Sequence, residues 1–336
     1  MKKKFLLIIT TLMTIFLVAC SNQSTTTTEE SDSSQATTEV IEPTIVKVGI
    51  PPAPPALPIL KMIEDNALGD EVKLEYELWD QGEKLVAMVQ QDDFDMFAFP
   101  LTFAAKLNNK GIDIKLMNVN TWGVGYVLTN DKDFTSWDQL RGKTLYVTIK
   151  GSPLDAYTQY FLKENGLEPG TDVTIQYASP IEIGSLLISG EAEYGVAIEP
   201  QATRALMQNS ELVRAMSLNE EYQKVANTTE KIPTAGFGAK GSFIEENPEL
   251  AVKIQDEYAK AITWINEHPE EAGSLAEKYL SLKQPLVTKA IPNMGLEFKS
   301  AKDAKSELEN MYKILENVNP KLIGGQLPSD SLYYEQ

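Results

Sequence analysis

The chain has 336 residues and carries 48 Asp and Glu against 30 Lys and Arg, a formal net charge of −18. That balance disfavours nucleic acid and direct adhesion to an anionic bilayer. One cysteine and one histidine exclude an intramolecular disulfide, a His/Cys metal site and a thiol- or His-dependent catalytic triad.

Lys2-Lys3-Lys4 precedes an apolar run from Phe5 to Val18, which is short for a membrane span and ends in Leu17-Val18-Ala19-Cys20. The pattern reads as an export leader. Its ending resembles the lipobox of bacterial lipoproteins, and that resemblance implies removal of residues 1–19 and lipid on Cys20. Without the three leader lysines the net charge falls from −18 to −21. Residues 20–44, rich in Ser, Thr, Gln and Glu, are expected to form a disordered tether.

The remaining length favours two lobes over one core. Val46, Val48 and Ile50 alternate as a first strand, followed by the proline-rich run Pro51 to Pro58, expected as a rigid loop before a helix over Ile59–Asn66. Val72, Leu74, Tyr76 and Leu78 alternate as a strand ending at Trp79-Asp80, and a helix follows through Leu85, Met88 and Val89. Phe94, Met96 and Ala98 mark the next strand, which runs into Pro100-Leu101-Thr102 and a short helix closed by Gly111. Ile114–Val119 reads as a strand and Trp122-Gly123 as a loop. Tyr126–Thr129 is expected as the first crossing between lobes.

The stretch from Trp137 to Pro200 reads as one α/β unit. Leu145, Val147 and Ile149 form a strand that enters Gly151-Ser152-Pro153, where Ser152 suits an N-cap and Asp155 completes a capping box. Leu154, Tyr157, Phe161 and Leu162 share a helical face up to Gly166. Strands at Val173–Tyr177 and Tyr194–Ile198 flank a helix over Ile181–Ile188, and the last strand delivers Glu199-Pro200. Ligands of open α/β sheets gather at such strand ends, and the free N–H groups behind Ser152 suit an anion or strong acceptor. The same residues also serve as a plain helix cap. Further on, Thr203–Met207 is helical, Glu220–Ile232 is weakly patterned, and Ala235–Ala239 is expected as the return crossing. The rest is helical, with the lone His268 before Pro269 read as a surface histidine.

Several stretches together resemble the substrate-binding proteins of ABC importers, in the nitrate/sulfonate/taurine and thiamine-precursor group. They are Asp138 to Lys143 before a strand and Gly151-Ser152, Gly166-Leu167, Gly190 to Gly195 before Glu199-Pro200, and Ile323 to Tyr334. The resemblance implies an α/β, type II periplasmic-binding-protein-like fold, with two lobes joined by two crossing strands. Lobe 1 would hold residues 45–128 plus 234–336, and lobe 2 residues 130–230. It also implies a cleft built from the Pro51–Leu57 loop, Pro100–Thr102, Gly151-Ser152 and Glu199.

The residues expected against a ligand are Pro52, Ala53, Trp79, Pro100, Thr102, Trp122, Gly151, Ser152 and Glu199. Lys150 is the one cation beside these stretches, whereas Trp79, Phe99, Trp122, Tyr126 and Tyr157 accompany them. Aromatic walls plus the Glu199 carboxylate favour a flat, nitrogen-bearing heterocycle of the thiamine-pyrimidine kind. A sulfonate- or nitrate-type oxyanion held by Ser152 and backbone N–H groups is the alternative, and a surface adhesin is a third reading. No enzyme activity, cofactor or metal is expected. The implied partners are a small molecule, an ABC permease and its ATPase, with a monomer held on the extracytoplasmic face of the membrane by lipid on Cys20.

Overall fold

The computed structural model describes residues 42–148 and 150–335. The leader, the lipobox with Cys20, nearly all of the expected tether, and Ile149 lie outside the described residues. In chain order the fold opens with β1 (Thr44–Ile50), α1 (Leu57–Glu64), β2 (Val72–Leu78), α2 (Gly82–Gln90), β3 (Met96–Pro100), α3 (Leu101–Asn109) and β4 (Ile114–Trp122). A second series follows: β5 (Gly125–Thr129), β6 (Thr144–Thr148), α4 (Pro153–Glu164), β7 (Thr174–Ala178), α5 (Pro180–Ser189), β8 (Tyr194–Ile198), α6 (Gln201–Gln208), β9 (Val213–Ser217) and α7 (Leu218–Val225). The chain then returns through β10 (Pro233–Lys240), α8 (Gly241–Glu246), α9 (Pro248–Glu267), α10 (Pro269–Leu280), α11 (Gln284–Ala290), β11 (Leu296–Ser300) and α12 (Lys305–Val318).

These strands make two mixed sheets, ordered β11-β4-β10-β3-β1-β2 and β7-β6-β8-β5-β9. Each contains three parallel strands, β2-β1-β3 and β7-β6-β8, whose crossover helices cover the apolar faces. Each is then joined by an antiparallel strand, β10 in the first sheet and β5 in the second. The α/β class expected from the alternating patterns is the class observed.

Three local expectations need correction. The helix after the proline run begins at Leu57 rather than Ile59, because Pro58 is accommodated in its first turn, where a missing N–H costs nothing. Tyr126–Thr129 is not a crossing: β5 pairs β8 and β9 inside the second sheet. Ala235–Ala239 likewise lies inside the first sheet, within β10. The chain passes between sheets at Gly123-Val124 and just before Pro233, and the Gly123 N–H donates to the Ile232 carbonyl at 2.8 Å. The strands β9 and β11 and the helix α7 escaped the sequence reading. β9 is half-buried along its whole length, so it lacks the alternation that marks a strand.

The core follows from this layout. One apolar cluster runs from Phe97, Phe99 and Leu101 in the first half to Leu145, Tyr157 and Phe161 in the second. Leu308, Met311, Tyr312 and Leu315 of α12 belong to it, and α12 packs against α4. A separate cluster beneath the first sheet joins Val46, Val48 and Ile50 to Ile254, Tyr258 and Ile262 of α9.

Candidate functional site

Parallel strands of both sheets end where helices begin, and these ends enclose a cavity of about 290 Å³. Pro100 and Thr102 reach it from the β3–α3 junction, and Pro233 and Thr234 from the start of β10. The two crossings supply Gly123, Val124 and Ile232. The second sheet and its helices contribute Gly125, Thr148, Ser152, Pro153, Leu154, Tyr157, Pro180, Ile198 and Leu218, and Met311 comes from α12. Among the described residues, no lining residue carries a charge.

Local electrostatics nevertheless have a sign. The first residues of α3, α4, α5 and α7 all face the cavity, each with the positive end of its helix dipole. Pro100 at the N-cap of α3 offers no side-chain acceptor, so the first-turn N–H groups of that helix lack a side-chain cap. A site of this kind attracts an anion without a cationic side chain.

The hydroxyls divide into committed and free. Ser152 Oγ accepts from the Asp155 N–H at 3.2 Å and donates to the Thr148 carbonyl at 3.1 Å, so its single proton is used. Asp155 does not close a capping box on Ser152. Its carboxylate accepts instead from the Gly151 N–H at 2.8 Å, from Gln159 at 2.9 Å and from the Tyr177 hydroxyl at 3.1 Å. Among the described residues, the hydroxyls of Thr102 and Thr148 donate to no protein group and remain available. Tyr157 is buried with an unpartnered hydroxyl, and desolvation, then neighbouring Tyr222 and Tyr160, holds its phenol well above the ordinary tyrosine range.

Of the nine residues expected against a ligand, Pro100, Thr102 and Ser152 line this cavity. Gly151 stands one residue behind, its φ of +76° making the turn that only glycine adopts freely. Trp79 and Trp122 are core residues whose indole N–H groups donate to the carbonyls of Ala98 (3.2 Å) and Glu297 (2.9 Å). Pro52 is exposed and Ala53 half-buried, and neither lines the cavity. Lys150 is exposed and lies over the Tyr177 ring.

Glu199 requires the largest correction. Its side chain is fully buried, and Oε1 accepts from Arg214 Nε at 3.0 Å and Nη2 at 2.5 Å. Oε2 accepts from the Thr203 N–H at 3.1 Å, and Arg214 also donates to Thr203 Oγ1 at 2.6 Å. A buried carboxylate so satisfied has little left to offer a ligand. The sequence placed Glu199 at a strand end but could not show Arg214 approaching from β9. The crossings and Thr148 were missed as wall residues; Gly123-Val124, between β4 and β5, with Gly125 opening β5, was the signal that could have found the first crossing.

Residues 41–280 match the NMT1-like family. Among curated proteins, YtlA of Bacillus subtilis (strain 168), whose name describes only a binding protein, is 28% identical over 149 residues. That similarity covers 44% of this chain and 42% of YtlA. A crystal structure of an ABC transporter protein from Parabacteroides distasonis superposes with a TM-score of 0.76 at 24% identity, covering 87% of this chain and 99% of that one. The periplasmic aliphatic sulphonate binding protein SsuA of Escherichia coli gives 0.70 at 12% identity, over 87% and 92% of the two chains. The periplasmic nitrate-binding protein NrtA of Synechocystis PCC 6803 gives 0.60 at 16%, over 84% of each. These likenesses identify the fold as that of type II periplasmic binding proteins.

Proposed function

This chain belongs to the NMT1-like family, and from that premise we propose that it is the solute-binding component of an ABC importer, specific for a small organic oxyanion of the sulfonate type. The observation that carries the reading is the cavity: walls from both sheets, apolar for most of their area, uncharged, and ringed by the starts of four helices. In this reading each sheet is the centre of one lobe, and the solute is held where the crossings meet. The oxyanion head lies against the N–H groups of α3 and the hydroxyls of Thr102 and Thr148. A hydrogen bond to a charged group contributes about 1.5–3 kcal/mol, so two or three together offset a substantial part of the cost of removing the head from water. The apolar remainder of the cavity accepts an organic body larger than nitrate.

The heterocycle reading rested on a free Glu199 and on aromatic walls. Glu199 is committed to Arg214, and among the described residues Tyr157 is the one aromatic lining the cavity, so the oxyanion reading moves ahead. We extend the proposal to the chain ends: Cys20 carries lipid and holds a monomer on the extracytoplasmic face, beside a permease and ATPase. No helix among the described residues is long and apolar enough to cross a membrane.

Isothermal titration of the protein with alkanesulfonates of increasing length, nitrate and aminopyrimidines tests the ligand class. Each buried methylene contributes about 0.8 kcal/mol, so affinity should climb up to about fourfold per carbon until the cavity is full. Binding of a pyrimidine with no binding of any alkanesulfonate would overturn it.

A further inference from the structure

Among the described residues two glycines line the cavity, and they stand there for different reasons. Gly123 has a φ of +57°, a conformation that side chains disfavour. Gly125 is not among the glycines at positive φ: it opens β5 and pairs with Ile198 of β8 in ordinary strand backbone. Its conformation alone does not call for glycine. A glycine in a strand weakens it, and often marks a place where another group approaches the backbone closely.

What approaches Gly125 is a pair of leucines. A β-carbon there would come within 2.8 Å of Leu154 Cδ1 and 2.8 Å of Leu218 Cδ1, with Leu218 Cγ at 3.3 Å. Leu154 comes from the first turn of α4 and Leu218 opens α7, and both line the cavity. Their methyl groups therefore meet over the bare glycine. The two differ in freedom. Leu218 is 1% exposed and belongs to the apolar cluster shared by both sheets, whereas Leu154 is half-buried and packs against that cluster from outside. A methyl group added to Gly125 meets close packing on the side of Leu218 and the cavity on the side of Leu154. Leu154 is thus the one to give way, and its displacement takes space from the cavity.

We propose that Gly125 and Leu154 together determine the size of solute that the cavity takes. The missing side chain of Gly125 lets Leu154 lie back against β5, and the depth of that recess sets the longest organic body that fits. The inference rests on the binding-protein reading above and deepens it, by naming the residues that fix the length limit of an organic oxyanion. Neither residue has a polar side chain, so exchanging them alters capacity rather than recognition of the charged head.

The test titrates wild type, Gly125→Ala and Leu154→Ala with the linear alkanesulfonates from ethanesulfonate to octanesulfonate. Thermal unfolding without solute first establishes that each variant is folded. In wild type, affinity should climb up to about fourfold per carbon and then stop. In Gly125→Ala the climb should stop about one carbon earlier, since a methyl group of space is lost. In Leu154→Ala it should continue to longer homologues, since the side chain that ends the recess is gone. A limit unmoved in either folded variant would overturn the inference and leave the binding-protein reading standing. A loss by the same factor at every chain length would overturn it too, because a purely structural role acts that way. Should Gly125→Ala not fold, the direction of the change in Leu154→Ala decides alone. A wild-type affinity still climbing at octanesulfonate would show that no such limit exists. If wild type takes up no alkanesulfonate, the ligand class falls, and this inference with it.

Discussion

The side chain of Asn219 lies so close against Gly123 that a β-carbon on the glycine would come within 2.6 Å of Asn219 Cβ. Asn219 Oδ1 also accepts from the Ile232 N–H at 2.9 Å, so one residue of α7 touches both passages between the sheets. Gly123 has a φ of +57°, a left-handed conformation that side chains disfavour. Close approach and backbone conformation together demand glycine at the point where the chain changes sheets and the cavity wall begins.

Gly123→Ala should therefore lose more stability than Gly69→Ala. Gly69 is also left-handed, at +78°, but a methyl group there would meet nothing within 4 Å. The backbone strain alone costs about 1–2 kcal/mol in each. Gly123→Ala must also displace Asn219 and forfeit its bond to Ile232, roughly 1 kcal/mol more. Urea unfolding measures the pair, and equal losses would show that Asn219 yields freely.

Glu199→Gln separates structure from ligand contact. Glutamine keeps the shape but leaves Arg214 without its counter-charge in a site where the carboxylate is fully buried. Stability should fall by about 1–3 kcal/mol while solute affinity stays at the wild-type value. The opposite pattern, unchanged unfolding with weakened binding, would return Glu199 to the site.

Among the hydroxyls, Ser152→Ala should cost about 1 kcal/mol of stability through loss of the α4 cap, with little change in affinity. Thr102→Val and Thr148→Val keep the shape and remove a free donor each, so each should weaken sulfonate binding about tenfold. A larger affinity loss in Ser152→Ala than in Thr148→Val, measured by titration, would reverse this division.

Alkaline pH should unfold the protein through its buried phenols. Burial raises Tyr157 and carries Tyr222 up to about 12, against an unfolded value near 10. A raised folded value means the contribution is complete below the unfolded value of about 10 and is lost as pH rises through the folded one. Above about pH 10 the unfolded chain binds fewer protons than the native one, so stability declines. Unfolding midpoints above and below that pH check the sign, and Tyr222→Phe should soften the decline.

Replacing Cys20 with Ala should move the protein from the membrane fraction to the soluble one. Fractionation of cells expressing each form decides it, and unchanged retention in the membrane would contradict lipid on Cys20.

Much of the architecture was legible locally. The strand patterns at Val46–Ile50, Val72–Leu78 and Tyr194–Ile198, and the Ser152 cap, depend on residues a few positions apart. The turn glycines Gly111, Gly151 and Gly166, all at positive φ, were readable for the same reason. The site was legible only in part. Thr102 and Ser152 were found because a helix start announces itself in sequence.

Partnership is another matter, because the partners come from distant parts of the chain. The Trp122 indole meets a carbonyl 175 residues away, and Glu199 meets Arg214 across 15. Until the sheets are assembled, a tryptophan or glutamate at a strand end is equally a wall of the cleft and a piece of the core. By itself the sequence determined where strands stop and helices start, since periodicity and capping act over a turn or two. Only the tertiary structure decided which of those ends share a cavity, and which polar groups entered it already satisfied, because both are set by packing between elements remote in the chain.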